Sequence, residues 1–472
     1  MAMPDNMVFT RNIMEALLRW VRNDRGVLLQ GPRQVGKTFI LKQLGREQFK
    51  QTLFVNLRDP KIFNWFANNP GKIGECDPWI RVFSEFAKYD GQKFDNSKNT
   101  LVILDEVQLS QGLFNSMRDM VNDYNFKLSA TGSYLGITTV MNRVAVDGEQ
   151  YFHAAGDVWY LDMNPLTYRE VIAACEKYAP KPFEEVYGFY LRFGGFPSVV
   201  KAWLQGKAVS ASDHFEHIKQ IYDTLINESQ QYFEGSFPKS AWTNTLTSVI
   251  AQINRRVDVP ISQKISFQLS GAMEMGKKKP QVIESLLWLE SCNLLFTGDV
   301  FSNWKTIQPV RERYYFTDQG LMSLIVSIAL SEKRPNIERS HMYGLLSENF
   351  AALAIREFTR PMTYSCKNPR GEIDFVSWDG NLATAVEVKF SGGETKTSDR
   401  LLKEGKIARL IKLANSEAVE DRCNVICLPL WEIYKLGEIL GFIPGQHLYS
   451  PVSESLGFDD IIVTTAPKPG EA

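Results

Sequence analysis

Residues 31–38 read Gly-Pro-Arg-Gln-Val-Gly-Lys-Thr and follow the apolar run Val27-Leu28-Leu29. A G-x-x-x-x-G-K-[ST] string in that position demands a strand, a tight loop and a helix in succession. Gly31 and Gly36 let the backbone curl so that its N–H groups converge on an anion. Lys37 reaches the outer phosphates of a nucleotide and the Thr38 hydroxyl holds Mg²⁺. The helix predicted from Lys37 to Leu44 offers its positive end to the same anion.

A second anchor lies further along the chain. Leu101-Val102-Ile103-Leu104 is short and wholly apolar, as a buried parallel strand requires. It ends in Asp105-Glu106. In this arrangement Asp105 supports Mg²⁺ through its water shell, and Glu106 orients and deprotonates the attacking water. A third strand, Phe126 to Thr131, leads into Gly132-Ser133, so Thr131 and Ser133 are candidates to sense the terminal phosphate. Leu53–Leu57 reads as another strand. Strands alternating with helical segments predict a mostly parallel sheet covered on both faces, with the nucleotide at the carboxyl ends of the strands.

The chain has 472 residues, too many for one ordinary core, so two to four domains are expected. Its formal net charge is −1, which supplies no overall field for gathering nucleic acid; DNA binding would need a local basic patch. Six cysteines and five histidines are too few and too scattered for a disulfide framework or a zinc site. The amino terminus lacks the basic-then-apolar layout of a secretory signal, and no run reaches the ~18 apolar residues of a membrane span. A reducing, cytoplasmic setting without membrane attachment is expected.

The strings GPRQVGKT, LFVNL, LVILDEVQ, SATGS, NPLTYREV and YLRFGGFPSVV, in that order, resemble a large group of bacterial and archaeal AAA-type ATPases. The carboxyl half of these proteins is a domain of unknown function. The resemblance spans most of the chain. It implies nucleotide and hydrolysis roles for Lys37, Thr38, Asp105 and Glu106, with ATP and Mg²⁺ as ligands, and Arg33 inside the loop is usual for the group. One departure stands out: Gly156-Asp157 replaces the Gly-Arg usual before the NPL string. If that arginine assists hydrolysis, another must serve, and Arg143, Arg169 and Arg192 are candidates.

The rear of the chain changes character. Residues 161–235 read helical, interrupted at Gly194-Gly195-Phe196-Pro197, as a lid or connector. Residues 236–330 carry short helices, the basic turn Lys277-Lys278-Lys279-Pro280, a helix and two β-like runs at Leu294–Phe301 and Arg313–Phe316. That is the outline of a winged helix, whose lysines can grip DNA phosphates or whose surface can dock a protein.

Residues 331–450 form the last domain and contain EIDFVSWDGNLATAVEVKF at 372–390. Asp379-Gly380 is a hairpin signal. A two-residue turn there pairs Trp378 with Asn381, Asp374 with Ala385 and Glu372 with Glu387. Glu372, Asp374, Glu387 and Lys389 then share one face, and Ile373, Phe375, Val386, Val388 and Phe390 the other. Asp374 and Glu387 become diagonal neighbours at ~7–8 Å, close enough to share a metal. An acid on one strand and Glu-x-Lys on the next resembles the PD-(D/E)XK nuclease core. That resemblance implies metal binding by Asp374 and Glu387 and water activation by Lys389. Glu348, on a helix predicted from Leu345 to Phe358, matches the acid such folds draw from a preceding helix. Ser391–Arg400 reads as a loop, Cys423–Pro429 as a further strand of the same sheet, and 451–472 as a tail.

The expected fold class is therefore α/β: an AAA-type P-loop NTPase domain (1–160), helical connector, winged-helix domain and nuclease-like α/β domain. The expected function is Mg-dependent ATP hydrolysis controlling a DNA-binding or nuclease-like module. The alternative is a nucleotide-gated switch or scaffold for a protein partner, with an inactive nuclease-like domain. Subunit number stays open.

Overall fold

The computed structural model describes residues 7–68, 79–133, 157–208, 210–232, 243–250, 286, 289–290, 292–302, 306–332, 342–357, 363–365, 373–378, 383–390, 395–416 and 423–441. The Lys277–Pro280 turn, Arg143, Gly156, Glu372 and Asp379-Gly380 lie outside these residues, as do the tail and most of the helices expected between 236 and 290.

Among the described residues the strands form two sheets. The first has five strands: β1 (Gly26–Gly31), β2 (Gln51–Asn56), β3 (Thr100–Asp105), β4 (Lys127–Ser133) and β5 (Val158–Asp162). Their order is β2-β3-β4-β1-β5, and every pairing is parallel. Helix α1 (Ile13–Val21) leads into β1. Parallel strands need covered crossovers, and helices α2 (Lys37–Gln48), α3 (Pro60–Asn68), α4 (Trp79–Tyr89) and α5 (Gln111–Asp123) supply them. The two faces bury separate cores. Leu29, Ile103 and Leu161 join α1 and α2 on one side. Leu28, Val102 and Leu128 join the aromatic layer of Phe83, Phe86 and Phe126 on the other. Alternation along each strand produces this split, because successive side chains point to opposite faces.

Helices α6 (Tyr168–Tyr178), α7 (Phe183–Phe193), α8 (Pro197–Leu204) and α9 (Ala211–Tyr232) follow. Thr167 and Glu170 close a capping box that starts α6, and Glu170 is the acid of the NPLTYRE string.

The second sheet has seven strands in the order β12-β11-β10-β9-β8-β6-β7. They are β6 (Leu295–Ser302), β7 (Thr306–Phe316), β8 (Thr363–Ser365), β9 (Ile373–Trp378), β10 (Ala383–Lys389), β11 (Arg409–Ala414) and β12 (Val425–Pro429). Helices α10 (Gln319–Ser331), α11 (Met342–Arg356), α12 (Lys396–Lys403) and α13 (Leu436–Leu440) accompany them. The β6–β7 hairpin was expected as the wing of a separate domain. Instead β6 pairs in parallel with β8, so the boundary expected at residue 330 falls between strands of one sheet. Cys423–Pro429 does supply the edge strand, as β12.

Two local expectations change. Residues 391–400 contain the start of α12, whose Ser398 and Leu401 are buried; eight residues are too few for a helical period to stand out against so polar a composition. The β9–β10 hairpin pairs Trp378 with Ala383 and Phe375 with Val386, two residues out of the register that an Asp-Gly turn dictates. A slip of two keeps every side chain on its face, so the hydrophobic pattern cannot detect it. Ile373 also leaves its expected set. It packs with Val376 and Ala385, whereas Phe375 and Val386 face the large core. The β8–β9 pairing is irregular between Thr363 and Ser365, and that break separates the two.

Candidate functional site

At the carboxyl end of β1 the chain enters the loop 31–36 and leaves it as α2. Gly31 is required by close packing: a Cβ there would lie 2.1 Å from the Met163 carbonyl oxygen. Gly36 caps α2 at φ 97°, left-handed backbone that favours glycine. Lys37 is buried, and its Nζ donates to the carbonyls of Gly31 and Pro32, at 2.8 Å each. The ammonium thus folds back over its own loop. Weak carbonyl partners are readily exchanged for phosphate oxygens, which make stronger charge-assisted bonds.

The acidic pair stands beside this loop because β4 carries Thr131 between β3 and β1. Asp105 Oδ1 accepts from Thr38 Oγ1 at 2.7 Å and from Thr131 Oγ1 at 2.6 Å. Thr131 in turn accepts from the Glu106 N–H at 3.2 Å. Thr131 therefore positions the acids. Ser133, at the end of β4, is buried. Glu106 adopts left-handed backbone, φ 62° and ψ 47°, an unfavourable conformation for a residue with a Cβ. Its carboxylate meets Arg58 at 3.2 Å and accepts from Gln108 Nε2 at 2.5 Å. Gln34, inside the loop, is also left-handed.

These groups suit a nucleotide with Mg²⁺. Thr38 and Asp105 are hard oxygen donors on one hydrogen bond, and the left-handed Gly36 opens the start of α2 to an anion. Bound there, Mg²⁺ would draw charge from the phosphates.

The Asp157 departure proves remote from this chemistry. Val158 pairs with Gly26, at the opposite end of β1 from the loop, and the Gly26 N–H donates to the Asp157 carbonyl at 2.8 Å. The Asp157 side chain pairs with Arg118 at 3.0 Å. At ~3.3 Å per residue, a strand's length separates position 157 from the phosphate loop. An arginine there would not reach its own nucleotide. Arg169 pairs with Glu438 at 3.6 Å and Arg192 donates to the Tyr343 hydroxyl at 3.1 Å, so both are directed to the rear half. Arg33 lies inside the loop, as its sequence position dictates.

Sequence reasoning missed Arg58, Gln108 and Arg11. Arg58 follows β2, whose last residue Asn56 pairs with Asp105; the sheet order that makes it a neighbour of Glu106 is not written in any motif. Gln108 was visible, as the last letter of DEVQ.

The carboxyl cluster is assembled differently. One step beyond the Phe375–Val386 pair, Asp374 comes directly beside Glu387. Asp374 Oδ2 accepts from the Val388 N–H at 2.9 Å. Lys389 Nζ lies 2.9 Å from Glu387 Oε2 and 3.7 Å from Asp374 Oδ2. Ser398 of α12 donates to Glu387 Oε1, and Arg313 donates to the Asp374 carbonyl at 2.9 Å. Burial, then the Asp374 charge, push Glu387 up to about 7, against the pull of Lys389 and Ser398. Burial also acts to raise Asp374, but Lys389, the Val388 N–H and Arg313 outweigh it and hold that carboxyl below the usual range. Asp374 foremost, against burial, raises Lys389. Glu348 on α11 accepts from the Tyr315 hydroxyl at 3.2 Å. The expected three-acid group does not form: among the described residues no three His, Cys, Asp or Glu side chains gather where they can hold a metal. The ammonium of Lys389 reaches both strand acids instead.

Residues 23–172 match the family of AAA domains. A protein of Haemophilus influenzae described as uncharacterized is 23% identical over 410 residues, which cover 84% of this chain and 90% of that one. Among solved structures, a Walker-type ATPase of Pyrococcus abyssi aligns at 12% identity with a TM-score of 0.44, covering 67% of this chain and 96% of its own. A signal transduction ATPase with numerous domains from Pyrococcus horikoshii, which carries a tetratricopeptide repeat sensor, aligns at 16% identity with a TM-score of 0.27. This chain spans 49% of its length. The front of the protein is thus similar to AAA domains over the stretch that holds the phosphate loop and the Asp105-Glu106 strand. Among the described residues no helix is long and apolar enough to cross a membrane.

Proposed function

We propose that the protein is a Mg-dependent ATPase whose nucleotide state governs its carboxyl module, and that this module acts on nucleic acid through Asp374, Glu387 and Lys389. The observation that carries the coupling is the segment 163–170, which touches both halves. Met163 N–H donates to Gln30 of β1 at 2.8 Å, and the Tyr168 hydroxyl donates to the Trp431 carbonyl at 3.0 Å. Leu166 N–H donates to Gly195, and Gly195 N–H donates to Asp318 at the head of α10. A shift at the phosphate loop therefore meets the rear half within a few bonds.

In hydrolysis, Lys37 and the start of α2 bind the phosphates, Thr38 and Asp105 would hold Mg²⁺, and Glu106 takes the proton of the attacking water. In the carboxyl module, Asp374 and Glu387 would face a metal only once a polyanion draws Lys389 off them, and Lys389 would then be the cation beside the phosphate. Purified protein with Mg²⁺ and plasmid or single-stranded DNA tests that module. Nicking that disappears in Asp374→Ala is expected; nicking equal in both proteins removes the nuclease role. DNA binding driven by phosphate contacts weakens steeply with salt.

A second reading is a switch that binds a protein partner and cuts nothing. Lys389 favours it, because its contacts with both acids leave the cluster electrically satisfied. Absence of any DNA mobility shift at low salt would decide for this reading.

A further inference from the structure

The NPLTYRE string is absorbed by neither active centre, yet it surrounds one buried cation. Arg11, just before α1, is 8% exposed. Its Nη1 donates to the Val35 carbonyl at 2.9 Å and its Nη2 to the Asn164 carbonyl at 2.6 Å. Its Nε lies 3.3 Å from Glu170 Oε2. Glu170 is itself fixed, accepting from the Asn12 N–H at 2.7 Å and the Thr167 N–H at 2.9 Å. Beyond Asn164 the contacts continue: the Asn293 side-chain amide donates to Asn164 Oδ1, and Arg356 Nη2 donates to Asn293 Oδ1 at 2.8 Å. Arg356 ends α11 and lies 4.5 Å over the Phe296 ring of β6.

We propose that Arg11 is a positioning residue of the phosphate loop, braced from the carboxyl half through Asn164, Asn293 and Arg356. The inference rests on the ATPase reading of that loop. Val35 immediately precedes Gly36 and Lys37. In a planar trans peptide the C=O and the following N–H point in opposite directions. Holding the Val35 carbonyl toward Arg11 therefore directs the Gly36 N–H away from it, one of the donors a phosphate needs. The guanidinium can do this because its planar fork donates to two carbonyls at once while its charge lies within ion-pair range of Glu170, which an ammonium on a flexible stem does not reproduce. Glu170 offsets the buried charge. Asn293 and Arg356 fix Asn164 from behind, so carboxyl-half residues bear on the geometry of the nucleotide loop without touching nucleotide.

The test is titration of the full chain with a fluorescent ATP analogue, alongside phosphate release and thermal melting. Wild type comes first: if it neither binds nor hydrolyses ATP, the underlying reading fails, independently of Arg11. Arg11→Ala leaves Glu170 buried and unpaired, so the Arg11→Ala/Glu170→Gln pair is measured beside it as the variant that keeps its fold. In the folded double variant ATP binding weakens about tenfold or more, as loss of a charge-assisted hydrogen bond predicts, with KM rising by a larger factor than kcat falls. Arg11→Lys does not restore binding. Arg356→Gln raises the Kd for ATP about threefold while changing no residue of the front domain. A folded double variant whose Kd stays within twofold of wild type overturns the positioning role. Arg356→Gln that lowers the melting temperature and leaves Kd unchanged overturns the brace.

Discussion

The two acid pairs of this protein are built on opposite electrostatic plans. At Asp105 and Glu106 the acids are held by hydroxyls, an amide and the half-exposed Arg58, while the buried Lys37 donates to carbonyls of its own loop. Neutral partners of this kind can be exchanged for a ligand that carries negative phosphates and a positive ion together. At Asp374 and Glu387 the cation already lies against both acids. A polyanion with Mg²⁺ enters the first by replacing weak contacts, but enters the second only by displacing strong ones.

Deleting the lysine from each site is the sharpest way to break this contrast, and carries the largest effect. Lys389→Met leaves two buried carboxyls facing each other. Lys389 pulls Glu387 down, so without it the pair must either take up a proton or hold two buried charges together, and at pH 8 the variant is expected to cost about 3–5 kcal/mol of stability by chemical denaturation. Lys37→Ala is expected to cost about 1 kcal/mol or less while removing ATP hydrolysis. Comparable stability losses in both variants would erase the distinction.

Glu106→Gln comes next. It keeps shape and hydrogen bonding but cannot take a proton, so phosphate release is expected to fall about 100-fold or more with ATP affinity within a few fold of wild type. Equal rates would strip Glu106 of its role.

A third test concerns the seam between the halves. Glu357, just after α11, is fully buried; burial first, then the Glu170 charge, raise it to about 8. A carboxyl whose folded pKa lies above its unfolded value gives stability that is complete below about 4.5 and is lost as pH rises through about 8. Glu357→Gln removes that dependence. The variant is expected to match wild type near pH 4 and exceed it at pH 9 by up to about 5 kcal/mol. A constant difference across that range would mean Glu357 does not titrate in the folded protein.

What was legible in the sequence follows the same divide. The phosphate loop and the Asp105-Glu106 strand were readable because their chemistry forces residue types at short spacing and buried parallel strands are uniformly apolar. Thr131 was found as a polar strand end, but not as a ligand of Asp105, which depends on β4 lying between β3 and β1. The faces of Asp374 and Glu387 were readable from alternation; their opposition was not, because a two-residue register slip is silent in that pattern. Asp157 looked like damage to the site until the strand pairing put it at the far end of the sheet. The β6–β7 hairpin was visible, but its partner β8 comes after two intervening helices, and pairing across that distance leaves no local trace.

The smallest expected effect tests the restraint on the front acids. Arg58 holds Glu106 at 3.2 Å, and its side chain is 45% exposed. A pair so open to water contributes at most about 1 kcal/mol, and less as salt rises. While it holds, the Glu106 carboxylate is engaged by Arg58 and Gln108 rather than by water. Arg58→Ala is therefore expected to raise basal phosphate release, by about fivefold at most, at low salt. The gain should shrink toward nothing as salt increases, and be absent in a Glu106→Gln background, where there is no charge to restrain. A rate that falls instead, with the salt dependence of wild type retained, would turn Arg58 from a restraint on the glutamate into a cation that meets the phosphates. The front site would then offer the phosphates one cation more than Lys37.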